Sequence, residues 1–76
     1  MRYLIEDADR ERLERTFTYH SPKEDQPERY TRLRREAKKL ATMIHESCPP
    51  SRERSLALTK VEEGVMWANA GIARNE

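Results

Sequence analysis

Two regular series of apolar side chains run through this chain. Leu58, Val61, Val65, Ala68 and Ile72 are spaced three, four, three and four residues apart, the repeat of one face of an α-helix. Tyr30, Leu33, Ala37, Leu40 and Ile44 repeat the same spacing. Between the series stands Cys48-Pro49-Pro50-Ser51, and a residue that precedes proline is pushed out of helical geometry. The pattern predicts two long helices, over 27–47 and 52–74, folded into an antiparallel hairpin.

The flanks of the series carry start signals. Asp25 is placed as an N-cap, with Glu28 three residues on as its reciprocal partner. Pro27 falls in the first turn, where its missing donor costs nothing. Ser51 is the expected cap of the second long helix, and Glu53 follows in its first turn, favoured by the dipole. Ahead of the hairpin, residues 1–16 predict a short helix that starts at Asp7 or Asp9. Its acidic residues lead, its basic residues follow, and Leu13 is its main apolar anchor. Residues 17–26 form a loop in which Phe17-Thr18-Tyr19-His20-Ser21-Pro22 reads as extended or turning. Phe17 is expected to pack onto the hairpin. For Tyr19 and His20, packing and service as a platform for a flat ligand stand as equal alternatives.

Composition sharpens this all-α picture. Seventy-six residues, 36% apolar and 38% charged, make one small domain that removes only about 60% of its unfolded surface from water. Such a chain needs a staple. Cys48 is the single cysteine, so an intrachain disulfide is excluded, and His20, His45 and Cys48 do not have the spacing of a zinc site. No metal or cofactor is expected. Oligomerisation is the staple that remains, and the last helix has an apolar surplus suited to it. Beyond its seam it carries Met66, Trp67, Ala70 and Ala73, with Gly64, Trp67 and Gly71 along one side. A wide core face that receives the N-terminal helix would use the same residues; subunit contact is the favoured reading.

The net charge of +1 argues against a DNA- or RNA-polymer binder, which carries a broad basic excess. No apolar run approaches the roughly 20 residues of a membrane span. The N-terminus is charged throughout and lacks a signal-peptide core. A soluble protein of a reducing cytoplasm is expected.

Candidate chemistry is confined to a few cations. Arg32, Arg35 and Lys39 point away from the seam and mingle with Glu28 and Glu36, a solvated face. Arg34 and Lys38 differ, because they lie four apart beside Leu33 and Ala37 and suit a clamp on phosphate oxygens. Glu62 and Glu63 are sequential, about 100° apart on a helix, and form no carboxylate pair. His45 and Cys48 lack a third group to orient them, and no Gly-rich phosphate loop is present. Binding is favoured over catalysis.

The segment FTYHSPKEDQPERYTRLRREAKKLA, followed by CPPSRERSLALTKVEEGVMWANAGIARN, resembles the hairpin domain shared by phage anti-CBASS type 2 and anti-Thoeris type 1 proteins. The resemblance covers residues 17–75, and the ERSLALTKVEEGVMWANAGIARN stretch is its most specific part. It implies a sponge: an immune-evasion protein in the host bacterial cytoplasm that sequesters cyclic oligonucleotide messengers without cleaving them. Cyclic GMP-AMP and cyclic tri-AMP are ligands of the implied kind. The resemblance further implies a helical homohexamer, with dinucleotides held between two subunits and trinucleotides in separate sites among three. Tyr19 matches the aromatic that stacks on a purine. Arg34 matches the basic residue that meets the phosphate, with Lys38 as the alternative, and Arg74 matches a basic position of the three-subunit site. Two departures stand out: the phosphate contact is Arg rather than Lys, and Gly64 and Gly71 replace alanines common in the motif. A different class of reading remains, a non-catalytic module whose Trp67 face engages a phage or host protein.

Overall fold

The computed structural model describes residues 3–76. Three helices follow in order: α1 (Asp7–Phe17), α2 (Gln26–Ser47) and α3 (Arg52–Asn75). No strand occurs among the described residues. The second and third helices form the antiparallel hairpin, and the first touches only the third. The helix boundaries fall within one residue of the expected ones in the hairpin. Helix α1 extends one residue further than expected, through Phe17.

The hairpin is a thin layer. The chain measures 50 × 37 × 13 Å with a radius of gyration of 17.1 Å, against about 11 Å for a compact chain of this length. Its inner line runs through the half-buried Tyr30, Ala37, Ala41 and Ile44 of α2 and Ala57, Leu58, Val61, Val65, Ala68 and Ile72 of α3. Leu33 and Leu40, expected on the seam, are 36% and 47% exposed. The reason is rotational: alanines on the inner line let the helices approach, and α2 turns Ala41 inward in place of Leu40. No apolar residue is fully buried among those described.

Helix ends follow different rules at the two hairpin starts. Ser51 caps α3 as expected, its hydroxyl oxygen accepting from the Arg54 amide at 3.1 Å and donating to the Pro49 carbonyl. The turn is also tied by Arg54, whose guanidinium donates to the Cys48 carbonyl at 3.3 Å. Asp25 does not cap α2 through its side chain, contrary to expectation. Glu24 takes a left-handed φ of 53°, and Asp25 follows at φ −92°, ψ 8°, outside the extended region that an N-cap side chain uses. The Asp25 carboxylate instead pairs with Arg29, one turn on, at 3.2 Å. Gln26 closes the turn, its carbonyl oxygen accepting from the Lys23 amide at 3.2 Å.

Glu76 joins the far end of α3 to this same corner. Arg29 donates to both of its carboxylate oxygens, and the Gln26 amide donates to one of them at 3.3 Å. The Lys23 ammonium reaches the Glu76 main-chain oxygen at 2.9 Å. Gln26, the one buried residue among those described, is thereby held from both sides.

Candidate functional site

The α1–α2 loop, the first turns of α2 and the last turns of α3 meet around one concave surface of about 470 Å³. The loop supplies Thr18, Tyr19 and His20; α2 supplies Tyr30 and Arg34; α3 supplies Asn69, Ala70, Ala73 and Arg74. Tyr30 and Arg34 are one turn apart on a single helix face, as are Ala70 and Arg74. The two alanines keep the floor low, and the aromatic and basic side chains form the walls.

Tyr19 is 82% exposed. A phenol ring with most of its surface in water packs against nothing that would be lost if a ligand replaced the solvent. Phe17 is equally uncovered at 80%, which overturns its expected packing on the hairpin. Because α1 continues through Phe17, the ring is carried outward on the helix before the chain turns. Leu13, the expected anchor of α1, is 44% exposed.

His20 closes the loop back onto α1, with its Nε2 at 2.9 Å from the Arg15 carbonyl oxygen. A carbonyl only accepts, so Nε2 carries the proton in this contact. Thr18 is also held, its hydroxyl donating to Glu14 at 3.2 Å. Both neighbours of Tyr19 are therefore anchored to α1, and the ring is presented from a fixed backbone.

Two cations line this surface, and like most cations among the described residues they are unpaired. Among the described residues neither Arg34 nor Arg74 pairs with a carboxylate, while Arg29, Arg35, Lys39 and Lys60 all do. Two guanidinium groups uncommitted to acids, beside an uncovered aromatic ring, suit a ligand that is both flat and anionic. Lys38 is not part of this surface. It lines a separate depression on the outer face of α2 with Arg35, Lys39, Thr42, Met43 and Glu46. The loop and the end of α3 wall the concave site only as far as Arg34, and Lys38 lies a full turn beyond.

Four of the five sequence-nominated residues, Tyr19, His20, Arg34 and Arg74, thus share one surface. Tyr30 was read as a seam residue and does both jobs. Asn69 was not singled out at all. The signal was present: asparagine is a poor helix-interior residue, and here it interrupts Trp67-Ala68-Asn69-Ala70 in the middle of the most apolar stretch.

The sequence from 9 to 73 matches the family model described as Acb2/Tad1, hairpin domain. The chain belongs to the Acb2/Tad1 hairpin-domain family. The match includes both long helices almost entirely, most of α1 and the loop with Tyr19. Arg74 lies one residue past its end. No curated protein and no solved structure matches the chain. Family membership points to the anti-CBASS and anti-Thoeris class of phage proteins and agrees with the helical hairpin seen here. No helix among the described residues is long and apolar enough to cross a membrane.

Proposed function

We propose that this protein is a phage immune-evasion sponge, which binds cyclic oligonucleotide second messengers in the host bacterial cytoplasm and holds them intact. The observation that carries the proposal is the convergence of Tyr19, Arg34 and Arg74 on one open surface in a chain of this family. Tyr19 supplies a face for a purine, a contact worth about 1–3 kcal/mol per base and tolerant of base identity. Arg34 and Arg74 supply charge-assisted hydrogen bonds for the ring phosphates. Holding a ligand in this way needs no reacting group.

A second copy of the chain completes the arrangement. The chain exposes 6808 Å², where a compact monomer of 9.0 kDa exposes about 4,900 Å². That surplus is comparable to the area taken up by subunit contacts. A homo-oligomer, hexameric on the pattern the resemblance implies, would cover it and turn the concave surface into an enclosed site between subunits. A twofold-symmetric ring such as a cyclic dinucleotide would then meet two equivalent walls. A cyclic trinucleotide would sit where three copies of Arg74 converge.

The exposed pair Met66 and Trp67, at 62% and 69%, supports a second reading, a docking module for a phage or host protein. Isothermal titration with cyclic di- and trinucleotides, followed by denaturation and chromatography of the released ligand, separates the two. Saturable binding with the ligand recovered unchanged supports the sponge. Absence of heat with every ring at low salt removes it and leaves the docking module. Recovery of a linear product would show an enzyme instead.

A further inference from the structure

Asn69 stands in the wall of the concave surface beside Tyr19 and Arg34, yet the carbonyl oxygen of its side chain is screened from water and accepts no hydrogen bond. A shielded acceptor without a donor is unfavourable, and native proteins keep few of them. Among the described residues no group satisfies it. The terminal torsion of asparagine is broad and soft, so the carboxamide can turn toward the concavity it lines, where a ligand or a second copy of the chain can supply the donor.

We infer that Asn69 reads the Hoogsteen edge of an adenine stacked on Tyr19, which makes adenine the favoured base of this site. The inference rests on the cyclic-nucleotide reading above. A carboxamide offers an acceptor and a donor side by side. Adenine presents the complement, an N6 amino donor next to the N7 acceptor, and asparagine pairs with it in bidentate fashion. Guanine presents O6 and N7, both acceptors. Asn69 would satisfy one of them and set its own carbonyl oxygen against the other, leaving the shielded acceptor still unpaired. Stacking on Tyr19 tolerates either base, so discrimination has to come from an edge contact. Arg34, which could otherwise read guanine, is engaged by a phosphate in this reading.

The test compares cyclic di-AMP, cyclic di-GMP and the 7-deaza analogue of cyclic di-AMP, in which N7 is replaced by CH. Each is titrated against the parent protein and Asn69→Ala. The parent is expected to bind cyclic di-AMP about tenfold or more tightly than either other ring. Asn69→Ala is expected to lose that advantage, binding cyclic di-AMP and its 7-deaza analogue alike. Equal weakening of all three rings in Asn69→Ala would mean that the residue only shapes the site, and would overturn the inference. So would parent protein that does not distinguish cyclic di-AMP from its 7-deaza analogue, a result independent of whether the variant folds. Parent protein that binds none of the rings would overturn the cyclic-nucleotide reading itself.

Discussion

Arg29 and Glu76, separated by most of the hairpin in sequence, form a two-pronged ion pair that ties the far end of α3 to the first turn of α2. Hydrogen bonding from Arg29, and next from Gln26, holds the Glu76 carboxyl down at about 2 from an ordinary 4.5. A carboxyl depressed in the folded state stabilises that state fully above its unfolded pKa, and the contribution is lost as pH falls through the folded one. The window is therefore pH 4.5 down to about 2. Both partners are more than a third exposed, so the effect is modest and screened by salt. Proton titration followed by NMR at the Glu76 side chain is expected to report the low value in the parent and a return toward 4.5 in Arg29→Met. In Glu76→Gln the acid sensitivity of the α3 terminus over this window is expected to disappear. An unshifted Glu76 in the parent would show the pair to be open in solution.

Ser51 is the N-cap side chain of α3, with its hydroxyl bonded on both sides. Ser51→Ala is expected to cost about 1 kcal/mol, roughly 4–8 °C in melting temperature for a chain of this size. Ser51→Asp, which retains an acceptor and adds a charge favourable to the helix dipole, should recover most of the loss. Thermal melts at one fixed protein concentration check both, because any association between copies would make the midpoint concentration-dependent. By contrast Asp25→Ala removes no capping bond, only the exposed pair with Arg29, and should cost less than Ser51→Ala.

These two starts show what the sequence could and could not reveal. Both presented a capping residue followed by a first-turn acid, and local pattern cannot separate them. What separates them is Glu24, whose left-handed backbone rotates Asp25 out of cap geometry. The turn is closed by two local bonds between Lys23 and Gln26, and Gln26 also meets Glu76 across the hairpin, a contact of 50 residues' separation. The hairpin itself was legible because a three-four spacing needs only one chain segment to be recognised. The rotation of α2 was not, since lines through Leu40 or Ala41 fit the spacing equally and the partner helix decides between them. Of the candidate surface, Tyr19 stands out in the sequence as an aromatic on a connector, a position that fits packing and ligand contact equally. Grouping Arg34 with Arg74, and leaving Lys38 out, required the end of α3 to be set beside the start of α2.

Tyr19 and Arg34 should affect binding and not folding. With 82% of its surface exposed, Tyr19 can be replaced by alanine at a stability cost within about 0.5 kcal/mol. Its loss should weaken a bound ring by about 1–3 kcal/mol per stacked base, on the order of 5- to 150-fold. Arg34→Glu reverses a charge beside the phosphates and is expected to weaken binding by about 100-fold or more. Lys38→Glu changes the same net charge on a different surface, where salt screening leaves little influence, and should stay within about threefold of the parent. Calorimetric titration of the three variants at 150 mM salt, with circular dichroism to confirm helicity, checks the set. Comparable losses in Arg34→Glu and Lys38→Glu would mean that general charge, and not the concave site, governs affinity.

Gly64 and Gly71 provide a test of what covers the exposed side of α3. Each costs the helix about 1 kcal/mol relative to alanine, and a β-carbon built at either meets nothing within 4 Å. Within the single chain, Gly64→Ala and Gly71→Ala would therefore be purely stabilising. A helix of another copy seated against Trp67 would use the missing β-carbons for close approach, and added methyl groups would push it away. The variants are expected to raise helicity at low protein concentration while shifting the sedimentation profile toward smaller species. Gly64→Leu should do so more strongly than Gly64→Ala, in proportion to the bulk placed at the contact. If all the variants sediment as the parent does and melt at higher temperature, neither the Trp67 side nor the apolar groove that Gly64 borders with Leu33, Leu40, Val61 and Val65 is a contact between copies.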